Sequence, residues 1–509
     1  MYDAVIVGAG HNGLTAAAYL SRAGARVLLL ERLDHVGGAA ISAAAFSGHP
    51  TRLSRYSYLV SMMPDRLVDE LGLDIGLASR SVASYTPIER AGLALGLLVE
   101  RPEGPGTAAS FRALTGGDED FVAWRDFYAQ VGELADVVAP TVLAPLPTEN
   151  VIRSQVPARI WTDLVEQPIG MAIERRFRDD VVRGVVGTDA LIGTFASLHD
   201  PSLVQNRCFL YHLIGNGTGE WRVPIGGMGA VTAALEKAAA GADRLTSAEV
   251  TSVEVGTDCA RVTWHDRSGP HAVDTRFVLS GCAPWVMDRL MGLEPTTKPE
   301  GAQLKVNFLL DRLPRLRSGI DPEIAFAGTL HLAESMSQLE RAHQAAVGGK
   351  VPDPLPGEVY CHSLTDASIL GGERAHTLTY FGLHTPASIL DRPQAKQTAV
   401  LRAIASLDAI LDEPILSVVA TDAHGQPCIE AKTPSEIEAD LAMPGGHIFH
   451  GDLDWPWAGV NQQLDTPAQR WGVDTAASPV LRCGAGAQRG GAVSGIGGHN
   501  AAQAVLEML

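Results

Sequence analysis

Tyr2-Asp3-Ala4-Val5-Ile6-Val7-Gly8-Ala9-Gly10-His11-Asn12-Gly13 runs into an apolar stretch over residues 14–20, and Ala25-Arg26-Val27-Leu28-Leu29-Leu30-Glu31 follows. Residues 4–7 are few and wholly apolar, the pattern of a strand buried on both faces of a parallel sheet. The glycines give G-x-G-x-x-G spacing where that strand turns into a helix. Gly8 is expected to make the tight turn, Gly10 to let the backbone approach a pyrophosphate, and Gly13 to let helix and strand pack closely. Free N–H groups of the first turn, Asn12 included, then face the phosphates. Gly24 ends the helix, and residues 27–30 form a second strand. Glu31 stands at its end, where a carboxylate accepts hydrogen bonds from ribose hydroxyls and repels a 2′-phosphate. A bare glycine pattern is weak; strand, turn, helix, strand and acid together predict a dinucleotide site that excludes NADP.

The chain has 509 residues, enough for a large core and two or more domains. A formal net charge of −18 argues against nucleic acid as a partner, because a phosphate-binding surface needs clustered Lys and Arg. No stretch has the roughly 18 apolar residues of a membrane span. No basic leader precedes the apolar N-terminal run, so no signal peptide is read. Cys208, Cys259, Cys282, Cys361, Cys428 and Cys483 form no C-x-x-C pair. They read as buried thiols in a reducing compartment, the cytoplasm by default, with peripheral membrane contact left open. His447 and His450 lie in a glycine-framed loop without nearby acid or cysteine ligands, so no metal is expected.

Beyond Glu31, the pair Gly37-Gly38 suggests a chain doubling back over a bound cofactor. A helix is expected over 64–71. Two apolar patches, 93–99 and the region around Phe111, read as strands of a second sheet. The rhythm of Phe121, Trp124, Phe127, Tyr128, Val131 and Leu134 predicts a helix from 118 to about 138, its aromatic stripe used for core packing. Helical patterns return over 160–177, 181–195 and 201–213. A second glycine loop, 224–229, opens a helix over 230–240. Strands are expected over 243–255, 259–264, 272–279, 303–310, 358–363, 376–382 and 415–421, with helices over 333–345 and 392–411. Thr433-Pro434-Ser435-Glu436 has the form of a capping box. Lys305 interrupts an apolar strand; read alone, it is a solvent-facing lysine on a half-buried strand. The tail repeats the N-terminal device, with a strand ending at Arg482, a glycine loop around Ser494 and a helix over 499–509. Both chain ends are therefore expected to build one binding site.

Residues 1–40 with 480–506 resemble the FAD-dependent amine oxidase and phytoene desaturase superfamily, above all its phytoene-desaturase-like branch. The likeness rests on Val5 to Gly13 with Glu31 to Gly38, on Pro224-Ile225-Gly226-Gly227-Met228, and on Cys483-Gly484-Ala485-Gly486 followed by Gly490-Gly491, Val493-Ser494-Gly495 and His499-Asn500-Ala501-Ala502. It implies a class mixing α/β and α+β: a Rossmann-like FAD-binding domain, a parallel sheet flanked by helices, beside a substrate domain of mixed sheet plus helices. The implied division is 1–78, 216–295 and part of 441–509 for FAD, and 79–215 with 296–440 for substrate. Gly8, Gly10 and Gly13 would hold the pyrophosphate and Glu31 the ribose. Arg32, Gly37, Gly38 and Ala39 would line the cofactor, Val250 would meet the adenine, and Gly484, Gly486, Val493 and Ser494 would lie near the ribityl chain and ring. Lys305 matches the strand position where related amine oxidases hold a lysine and a water beside the flavin.

The implied chemistry is hydride removal from a C–H bond of a largely apolar or amine-containing small molecule, giving C=C or C=N, with oxygen or a quinone reoxidising the flavin. Lys305 is the candidate catalytic residue; Tyr56, Tyr58, Trp455 and Trp457 are candidates for the substrate wall. A redox-neutral flavin-dependent isomerase and a flavin-stabilised non-catalytic interaction protein are the alternatives. A homodimer stays open.

Overall fold

The computed structural model describes residues 1–295 and 297–509. Tyr2–Val7 and Val27–Leu30 are strands, joined by the helix His11–Arg22. They pair in parallel and continue on both sides, to Asp243–Leu245 beyond the second strand and to the end of Gly269–Ser280 beyond the first. Val480–Arg482 adds a fifth parallel strand next to the latter. Glu249–Val255, Ala260–Asp266 and the start of Gly269–Ser280 form an antiparallel meander on the same sheet. The apolar strands are buried because helices cover the sheet, which is why they read as continuous runs rather than alternations.

The two chain ends meet on that sheet. His11–Arg22 packs against the terminal helix Ile496–Met508, and a Cβ on Gly498 would stand 2.0 Å from the Asn12 carbonyl. Only a glycine permits that approach.

A second sheet has the order Ile429–Lys432, Leu304–Leu310, His376–Gly382, Gly357–Tyr360, Thr329–Leu332, Val82–Arg90, Leu93–Glu100. Its neighbours are antiparallel except Thr329–Leu332 on Val82–Arg90. A helical layer from Glu119 to Leu213 packs beside it around Phe127, Phe177 and Phe209. Among the described residues no helix is long and apolar enough to cross a membrane.

Some expectations change. Phe111 lies on the helix Pro105–Thr115, not on a strand: Pro105 begins it, Gly116 closes it in the left-handed region, and Thr107, Phe111 and Leu114 are buried at helical spacing. Residues 415–421 hold a single turn, Ile415–Ser417, and isolated bridges at Val419 and Thr421 rather than a strand. Pro168 breaks the first of the expected middle helices, so Ile169–Arg176 is separate from Ala158–Trp161. Cys259 is exposed, and all six cysteines are free thiols. The Thr433 capping box is present in full, its hydroxyl accepting from the Glu436 N–H while the Glu436 carboxylate accepts from the Thr433 N–H.

Candidate functional site

One continuous cavity of about 680 Å³ runs from the first glycine turn into the face of the second sheet. At its first end, Gly8 has a φ of +96°, the left-handed region that a glycine enters without strain. A Cβ on Gly13 would sit 2.1 Å from the Gly8 carbonyl, so helix and turn touch at that position. Gly10 differs: a Cβ there would meet nothing within 4 Å and would project into the open cradle. Gly37 bridges back to Gly10, its N–H donating to the Ala9 carbonyl, and Gly38 and Ala39 reach the cavity wall.

Glu31 is pinned by backbone. Its Oε2 accepts from the Ala9 N–H at 2.8 Å and its Oε1 from the Leu33 N–H at 2.9 Å. It lines the cavity together with Arg32, Asn12 and Val250. Asn12 Oδ1 is buried with no hydrogen-bond partner among the described residues. An open cradle at Gly10, unbonded amides at a helix start, an anchored carboxylate and an orphaned amide oxygen fit a dinucleotide site.

From the tail, Ala485, Ala492 and Val493 reach the wall. Gly484 and Gly486 stand one layer behind. A Cβ on either would strike the Gly281 carbonyl or the Pro284 ring at 2.5 Å, so they let the tail press against the end of the central strand. Ser494 is also behind the wall, its hydroxyl accepting from the Ile496 N–H at the start of the terminal helix. His450, half-buried, lines the cavity, and desolvation pushes its pKa down to about 3.

Deeper in, Lys305 is 2% exposed on a strand buried at every residue, so it does not face solvent. Strands pair with it on both sides, Phe381 opposite it on one and Lys432 on the other. Its Nζ donates to the Ser54 and Tyr56 carbonyls at 2.8 and 2.6 Å and stands 4.6 Å from the Tyr58 ring centre. Burial holds its pKa well below the ordinary lysine value, with Glu430 opposing the shift. Tyr56 and Tyr58 both line the cavity, and the Tyr56 hydroxyl donates to Asp440 at 2.9 Å. Tyr58, Tyr360 and Phe381 form an aromatic cluster at this point, Tyr58 lying 4.8 Å from Tyr360 and 6.2 Å from Phe381. Trp455 and Trp457 are not in the wall. They stack on each other at 5.0 Å, and Trp457 packs on Trp161 in the core.

The far end holds residues that sequence reading missed. Asp189, Arg80, His331 and Glu358 all line it. Asp189 opens onto the cavity, and burial, with Glu358 nearby, pushes its pKa up to about 8. The aromatic stripe of Glu119–Val138 divides. Phe127, Val131 and Leu134 are core, whereas Trp124 and Tyr128 face the cavity. The one signal available was the kind Lys305 gave: a lone charged residue inside an apolar segment, as Asp189 and Glu358 are.

Residues 6–64 match the family described as NAD(P)-binding Rossmann-like domain. The Mycobacterium tuberculosis uncharacterized protein Rv0897c is 48% identical over 523 residues, covering 100% of this chain and 97% of that protein. The mouse pyridine nucleotide-disulfide oxidoreductase domain-containing protein 2 is 28% identical, over 100% of this chain and 94% of its own. Among solved structures, wild-type putrescine oxidase bound to putrescine superposes with a TM-score of 0.58 at 18% identity, covering 100% of this chain and 98% of that one.

Proposed function

Because the chain belongs to one family with its mycobacterial relatives and has the FAD-dependent amine-oxidase-like superfamily fold, we propose that it is an FAD-dependent oxidoreductase acting on a C–H bond of a small molecule. The substrate, largely apolar or amine-containing, loses a hydride and a proton and is left with a C=C or C=N bond. The two electrons pass on to oxygen, giving hydrogen peroxide, or to a quinone, giving the quinol.

The observation that carries this reading is the continuity of the cavity from Gly10 and Glu31 to Lys305 and the aromatic cluster. One end suits a dinucleotide; the other combines an aromatic wall with buried ionisable groups, a chamber suited to a small molecule. Bound FAD would supply a hydride acceptor, the hard part of the chemistry. Gly8, Gly10, Gly13 and Asn12 would hold the phosphates, and Glu31 the ribose. Arg32, Gly38, Ala39, Val250 and Val493 would flank the rest, with Gly37, Gly484, Gly486 and Ser494 bracing them from behind. Tyr56, Tyr58, Tyr360 and Phe381 would exclude water and hold the reacting C–H bond in place. With both carbonyls satisfied by two N–H bonds, a neutral Lys305 amine keeps a lone pair that can take the departing proton, directly or through a water. Within the substrate range, Asp189 favours an amine-bearing molecule, since a cation beside it would offset the burial of its carboxylate.

The test is anaerobic mixing of the FAD-loaded protein with panels of amines and of apolar alkenes, watching the flavin's visible absorbance. Bleaching reversed by air supports an oxidase, and bleaching reversed only by a quinone supports a dehydrogenase. Product turnover without bleaching or acceptor consumption would replace this reading with a redox-neutral isomerase.

A further inference from the structure

His331 and Glu358 stand directly opposite each other on the antiparallel strands Thr329–Leu332 and Gly357–Tyr360. Such a pair projects its side chains to the same face within reach of one another. Glu334 follows three residues after His331, just past the strand end. One ligand atom from each of the three lies within 4.8 Å of the others. All three are buried, at 4%, 3% and 1% exposure for His331, Glu358 and Glu334.

Glu334 is the residue that points to a ligand. Both its carboxylate oxygens are buried, with no hydrogen-bond partner among the described residues. Its Oε2 stands 4.0 Å from His331 Nδ1, too far for a hydrogen bond and close enough to share an ion. A buried carboxylate left without a partner is strongly destabilising. The nearby cation does not solve this. Arg80 lies 5.9 Å from the Tyr360 ring centre and reaches Thr329 Oγ1 at 3.4 Å, and among the described residues it makes no ion pair with a carboxylate. Glu358 is held in place from outside: Thr188 donates to its Oε1 at 3.3 Å and the Tyr360 hydroxyl donates to its Oε2. Outer hydrogen bonds of this kind orient metal ligands.

We propose that His331, Glu334 and Glu358 bind one first-row divalent cation of the zinc or manganese class in the wall of the cavity. One imidazole and two carboxylates suit those ions, and three protein ligands leave a coordination position open. His331 and Glu358 line the cavity, so the open position faces whatever molecule is bound there and would take an oxygen or amine donor from it. The proposal does not depend on the oxidoreductase reading, because it concerns occupancy by an ion alone.

The FAD-loaded protein is incubated with Zn²⁺ or with Mn²⁺, desalted, and its metal measured by mass spectrometry alongside its melting temperature. The expected result is about one ion per chain and a melting temperature raised by the metal and lowered again by EDTA. Glu334→Gln and Glu358→Gln are expected to lose most of that ion while keeping their flavin absorbance. Metal at the level of a buffer blank, with a melting temperature indifferent to both ions and to EDTA, overturns the proposal; so does full metal retention in both variants. Should the variants fail to fold, the metal content and EDTA response of the unaltered protein decide the matter alone.

Discussion

Lys305 shows how much one residue's surroundings change its meaning. Within Leu304-Lys305-Val306-Asn307 it was visible in the sequence as a charge inside an apolar run. Whether it was buried was not, because that depends on a distant segment, residues 54–58, lying over its side chain. Asp189 and Glu358 escaped notice for the same reason: burial against a distant segment is not written in local pattern. If Lys305 accepts the proton, Lys305→Met should slow flavin bleaching by about 10²–10⁴-fold with FAD still bound. The bleaching rate of the unaltered protein should rise with pH through an apparent pKa below the ordinary 10.5, since only the neutral amine has a free lone pair. That limb should vanish in the variant. Stopped-flow absorbance across pH checks both, and equal rates would make Lys305 a structural residue.

Among elements, the strand–turn–helix at the N-terminus was the most legible, since its glycines and acid are local requirements of one unit. The helix Pro105–Thr115 was less so, because an apolar patch near prolines and glycines suits either a strand or a capped helix until the burial of Thr107, Phe111 and Leu114 is known. The segment at 415–421 carries strand-like residues but no continuous partner to pair with. The glycines of the first turn now separate into two kinds, which a pair of variants distinguishes. Gly13→Ala drives a Cβ into the Gly8 carbonyl and should destabilise the fold by about 1–3 kcal/mol. Gly10→Ala, with a φ of −67° and open space around it, should melt like the unaltered apoprotein yet lose FAD. Urea melts and flavin titration read the two effects apart; equal loss of stability in both would refute the distinction.

Across the whole molecule, the sequence made the pairing of chain ends and the presence of two sheets legible, whereas the path of the cavity emerged only once both sheets were placed. That path is lined with histidines held neutral. His212, at 5% exposure, has its pKa pushed down to about 4 by burial, against 6.5 in an unfolded chain. The unfolded state therefore binds more protons between those values, so this contribution is complete above pH 6.5 and is lost as pH falls toward 4. In His212→Gln the stability lost between pH 7 and pH 5 should be smaller by about 2 kcal/mol, measured by urea unfolding at each pH. An identical loss in both proteins would show that His212 does not titrate on unfolding. The meeting of the two ends also has a bearing on biosynthesis. His11 shares a hydrogen bond with Ala492, a partner 481 residues further along. At roughly 5–20 residues per second, a ribosome needs about half a minute to a minute and a half to make the intervening chain. Throughout that interval the emerging glycine turn lacks the helix that braces it, so the cradle is completed only after residues 496–508 have been made.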